Sequence, residues 1–133
     1  MKKFFVFTLL SLMLTGCGQV PPDEMDVVSS YATSFRNGTI QHITVVVNDP
    51  EISDYEDCAK KIIEKCLTND FKSVLFCWGP NDYPIALTAT VYQSEKNHKN
   101  GNYTFKMSYT QNFNEETVYN MKENPEKFEL DIV

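Results

Sequence analysis

Apolar residues recur along this chain with two different periods. Ile85, Leu87, Ala89 and Val91 alternate with Ala86, Thr88, Thr90 and Tyr92, and Tyr103, Phe105, Met107 and Tyr109 alternate with Thr104, Lys106, Ser108 and Thr110. Period two marks half-buried strands, and these two are expected to pair as an antiparallel hairpin. Their connection, Ser94 to Asn102, is polar throughout and belongs at the surface.

The second period is helical. Tyr55, Cys58, Ala59, Ile62, Ile63, Cys66 and Leu67 fall on one face, with Lys60, Lys61, Glu64 and Lys65 opposite. Ser53 and Glu56 have capping-box spacing, and Asn69-Asp70 ends the run. The same spacing at Val27, Val28, Tyr31, Ala32 and Phe35 predicts an earlier helix over about 23–36, stopped by Asn37-Gly38.

Thr39 to Asn48 is rich in β-branched residues and predicts a buried strand. Ser73 to Trp78 predicts a shorter one, followed by a turn at Gly79-Pro80-Asn81-Asp82. Strand, helix, strand in this order implies a right-handed crossover and a parallel pair. Beyond Asn112, Asn114 to Thr117 is placed to cap a short helix reaching about Lys122, and Phe128, Leu130 and Ile132 alternate as a terminal edge strand. The expected fold is a small α+β domain, a mixed or mainly antiparallel sheet of four or five strands with two helices on one face.

The N-terminus has a different character. Lys2-Lys3 precedes an eleven-residue apolar run, Phe4 to Leu14, and Leu14-Thr15-Gly16-Cys17 follows at once. The run is too short to span a bilayer, which takes about 20 apolar residues. Charged start, apolar segment and small-residue cleavage site are the parts of a secretory signal, and Leu-Thr-Gly-Cys resembles the lipobox of bacterial lipoproteins. That resemblance implies cleavage before Cys17, lipidation of Cys17 and a location on the extracytoplasmic face of the cell membrane, outside a single-membrane cell or in the periplasm of a double-membrane one. Residues 1–16 are then a signal peptide, 17–22 an anchor and short tether, and 23–133 the folded domain.

All 18 acidic residues follow position 16, with 10 of the 12 basic ones, a formal charge of −8 for that part. Such a surface disfavours nucleic acid and anionic lipid, so membrane contact is expected through the Cys17 lipid alone. The short tether favours a membrane-proximal envelope protein as partner.

Chemistry-bearing motifs are sparse. Cys58 and Cys66 lie about 12 Å apart along one helix, too far for a direct bridge. Two readings stay open: buried reduced thiols, or one bridge from Cys77 to Cys58 or Cys66. His42 and His98 have no carboxylate or thiol at metal-ligand spacing, so neither metal nor cofactor is expected. Asp49, Glu51, Asp54, Glu56 and Asp57 cluster where they complement a helix dipole, without the calcium-loop pattern. Trp78 and Tyr83, bracketing one turn, and His98 in the polar loop are the candidate interaction residues. These features favour a non-enzymatic binding or accessory module of the cell envelope. The alternatives are a small ligand-binding domain, or an envelope enzyme acting on wall material, which would need His42, Asp54 or Cys77 to converge in a pocket.

Overall fold

The computed structural model describes residues 24–36, 38–79 and 82–133; Cys17 and the proposed tether lie outside them. Five strands form one sheet in chain order: β1 (Asp26–Phe35), β2 (Gly38–Val46), β3 (Ala86–Tyr92), β4 (Phe105–Gln111) and β5 (Phe128–Ile132). Neighbours are antiparallel except β2 and β3, which run parallel from Ile40↔Ala86 to Val46↔Tyr92. The crossover between them carries α1 (Tyr55–Thr68), and a one-turn helix, α2 (Glu95–Lys99), interrupts the β3–β4 connection. The α+β organisation and mixed five-stranded sheet agree with the sequence expectation.

The apolar stripe of α1 packs on one face of the sheet. Ile62 and Cys66 meet Ile43 and Val45 of β2, Leu87 and Val91 of β3, Phe105 and Met107 of β4, and Phe128 of β5 in one buried cluster. The helix is capped one residue later than expected, by Asp54 rather than Ser53, and the Asp54 carboxylate accepts from the Asp57 N–H at 3.1 Å. Glu56 and Asp57 then pair with Lys60 and Lys61 at 3.3 and 3.4 Å. Most of the acidic cluster is thereby used in starting and pairing the helix.

Three sequence expectations are corrected. The segment expected as a first helix is strand β1, in a hairpin with β2: Arg36 takes a left-handed φ of 51° between the paired Phe35 and Gly38, as a two-residue hairpin connection requires. Val27, Val28 and Thr33 favour extended backbone, Ser29, Ser30 and Ser34 are poor in a helix interior, and the cross-strand partner decides the ambiguity that the apolar spacing left. Gly38 belongs to this hairpin through its packing rather than as a helix stop, because a Cβ there would sit 2.6 Å from Ile85 Cγ2. Only one of the two expected helices therefore packs on the sheet as a full element.

Ser73 to Trp78 is not a strand. The parallel partner of β2 is β3, which β4 flanks on its other side, so the sheet has no central opening for this segment. It buries Phe76 against the core as irregular chain, beside Phe71 just before it, and Asn69 braces it by donating to the Phe76 carbonyl at 2.9 Å and accepting from the Phe76 N–H at 2.7 Å. The helix expected over 114–122 is likewise replaced by turns. Gln111, only 4% exposed, donates to the Thr117 carbonyl and accepts from the Tyr119 N–H, while fully buried Met121 anchors the segment.

The start of β1 is tied down by Asp26, which accepts hydrogen bonds from the side chain and backbone of Ser73 and from the Val27 N–H. Burial works to raise this carboxyl, but those bonds, with one from the Lys72 backbone, outweigh it and hold Asp26 below its ordinary value of 3.8. A depressed folded-state value contributes stability above the unfolded pKa, and that stability is lost as pH falls through the folded one. Asp26→Asn is therefore expected to flatten part of the acid limb of a urea-stability titration below about pH 4, with the change absent at neutral pH sinking a structural role for the carboxylate.

Candidate functional site

The face of the sheet opposite α1 carries no helix of comparable length among the described residues. Strand alternation brings Tyr31 and Thr33 of β1, His42 and Thr44 of β2, and Thr88, Thr90 and Tyr92 of β3 to this side. These side chains are exposed or half-buried.

His42 lies at the centre. Its Nε2 is 2.9 Å from Thr33 Oγ1 and its Nδ1 2.7 Å from Thr88 Oγ1, so one imidazole links three strands. Whichever ring nitrogen carries the proton, a hydroxyl can complement it. Tyr31 stacks on the ring with centroids 4.7 Å apart. The result is a small polar and aromatic platform whose members fix one another while Tyr31 remains 60% exposed.

His98 reaches the same side. It sits edge-on to Tyr92 at 4.9 Å, in α2, whose Ser94 cap accepts from the Asn97 N–H at 3.2 Å. The polar loop named from sequence is thus a capped turn of helix beside the sheet. At the other end of the face, Phe35 contacts Phe113 at 4.9 Å, and Arg36 donates to the Phe113 carbonyl. A cavity of about 340 Å³ opens there between Arg36, Gly38, Ile85 and Gln111 and the 113–118 segment.

Trp78 and Tyr83 do not join this platform. Trp78 stacks on Phe76 at 4.6 Å and tilts against Tyr83 at 5.6 Å, and both are half-buried against the core on the α1 side. His42, Asp54 and Cys77 do not converge either: His42 is on the open face, whereas Asp54 caps α1 on the covered one. The platform residue Tyr31 escapes sequence reading because its spacing fits a helix, and the setting of His42, itself a candidate from sequence, escapes because its two threonine partners are 9 and 46 residues away.

The thiols of Cys58, Cys66 and Cys77 are all free, so no bridge joins Cys77 to either helix cysteine. Burial pushes the Cys66 thiol up to about 12. Burial also raises Cys58, with Asp49 and Asp57 adding to the effect and Lys61 opposing it. Both are held away from the thiolate form that reacts. In a native-state alkylation followed by intact mass, Cys77 is expected to react first, with Cys58 and Cys66 labelled only on unfolding; early labelling of Cys66 would contradict its burial.

Among the described residues, no group of three or more His, Cys, Asp or Glu is placed to hold a metal ion, and no helix is long and apolar enough to cross a membrane. Comparison of the chain with protein-family models, curated proteins and solved structures gave no match.

Proposed function

We propose that this chain is a lipid-anchored module of the cell envelope that works by binding a membrane-proximal envelope protein through the open face of its sheet. The observation that carries this reading is the Thr33–His42–Thr88 chain with Tyr31 stacked upon it. Side chains already held in position lose little conformational freedom when a partner arrives, which is what favours a recognition surface. Tyrosine adds contact area with a polar end. The Leu14-Thr15-Gly16-Cys17 signal supports the anchor, and residues 17–22 reach only about 20 Å when extended at 3.3 Å each. The domain then works close to the bilayer.

The test is in-cell photocrosslinking of the full-length chain, with the crosslinking residue at Thr90 on the open face or at Lys60 on the exposed side of α1. An adduct with one membrane protein from position 90, absent from position 60 and lost in a Cys17→Ala chain, is the expected result. Equal adducts from both positions would overturn the face assignment. Recovery of the Cys17→Ala chain as a cleaved protein in the membrane fraction would overturn the anchor.

A further inference from the structure

We propose that the outer edge of β1 pairs with β1 of a second copy, joining two sheets into one. As the first strand in the sheet order, β1 has a free edge, and nothing among the described residues pairs with it. It is also ten residues long, with no charge or proline from Val27 to Phe35. Exposed edges are ordinarily blunted by charge, proline or short length. The opposite edge follows that rule: β5 has five residues and carries Glu129 and Asp131. Within β1 the bulge is confined to Val27–Ser29, and the ladder from Ser29 to Phe35 is regular.

The choice of a second copy rests on self-complementarity about Tyr31. In an antiparallel pairing centred there, Tyr31 faces its own counterpart, Ser30 faces Ala32 and Ser29 faces Thr33, each twice over. Small polar residues meet small ones. Asp26 and Arg36 bracket this ladder, Asp26 beyond the bulge and Arg36 in the hairpin turn, so the acidic end of each strand lies toward the basic end of the other. A parallel pairing would set like charges together instead. The two-fold axis stands perpendicular to the sheet, which keeps both open faces on one side and makes the two Tyr31–His42 stacks neighbours.

The test is oxidative crosslinking in cells expressing the full chain with Cys77→Ser, adding Tyr31→Cys, Ser34→Cys or Asp131→Cys. Facing residues in such a ladder have Cα atoms about 5 Å apart, whereas Ser34 faces Val28 and lies six residues, about 20 Å, from its own counterpart. A disulfide needs Cα atoms within roughly 7 Å, so Tyr31→Cys is expected to give about ten-fold more covalent dimer than either other variant. Adding Ser30→Asp with Ala32→Asp sets like charges opposite each other and is expected to abolish that dimer, while Ser30→Lys with Ala32→Asp preserves it. Equal dimer from all three cysteine positions would mean random collision and overturn the proposal, as would no dimer from Tyr31→Cys. An adduct with a different protein at position 31 in place of the dimer would also overturn it, assigning the edge to another partner. The disulfide pattern is read in whole lysate and the lipid anchor by fractionation, so the two readings fail separately.

Discussion

Phe105→Ala is expected to destabilise the domain by about 3–5 kcal/mol, enough to leave a large unfolded fraction in a protein of ordinary stability. Phe105 opens β4 with only 1% of its surface exposed. Its ring stacks on Tyr55 in the first turn of α1, with centroids 4.8 Å apart, so it joins helix to sheet at the point where the helix begins. Truncation removes that contact and leaves a cavity between rigid elements that cannot readily close. Urea unfolding should show a lower midpoint with little change in slope. A loss below about 1 kcal/mol would mean that the surrounding side chains collapse into the space. Phe105→Leu, which refills part of the volume, should recover a substantial share.

The second large effect is expected at Asn69, where two demands fall on one exposed residue. The backbone is left-handed, with φ 53° and ψ 46°, closing α1 through bonds from its own N–H to the Cys66 carbonyl and from the Asp70 N–H to the Lys65 carbonyl. The side chain meanwhile takes both backbone groups of Phe76. Asn69→Ala loses the conformational preference and both hydrogen bonds, for a cost of about 2–3 kcal/mol. Asn69→Gly separates the contributions, since glycine restores the backbone preference without the bonds. Amide exchange at Phe76 should quicken in both variants. If Asn69→Gly proves as stable as the parent chain, the brace on Phe76 carries no energy and the left-handed cap accounts for the whole effect.

These two residues also show where the sequence was informative. Phe105 was legible because it alternates strictly with polar neighbours, and the elements read correctly, α1 and strands β2 to β5, each carry an unambiguous period or a dense β-branched run. Asn69 was legible as a helix end, but its grip on Phe76 was not. A side chain bracketing a backbone seven residues on leaves no periodic trace. Strand β1 failed for a related reason: Val27, Val28, Tyr31, Ala32 and Phe35 satisfy helical spacing, and only the β2 partner, brought round by the Arg36 turn, selects the extended form. The platform suffered most, since Tyr31, His42 and Thr88 become neighbours only after three strands are in register. His98 is legible as a loop histidine, but nothing in the sequence signals that Tyr92 holds it.

The single parallel seam in an otherwise antiparallel sheet has a kinetic consequence. β1 with β2 is a local hairpin, and β3, β4 and β5 follow one another as a meander, so most of the sheet can assemble from contacts near in sequence. The β2–β3 junction joins residues 46 apart along the chain, Ile40 to Ala86, and closing that loop bears the largest entropic cost in the topology. Its closure should limit the folding rate. The His42–Thr88 hydrogen bond spans this junction, so the recognition platform is completed in the slowest step, and a chain caught before it carries both halves of the sheet without the surface they build together.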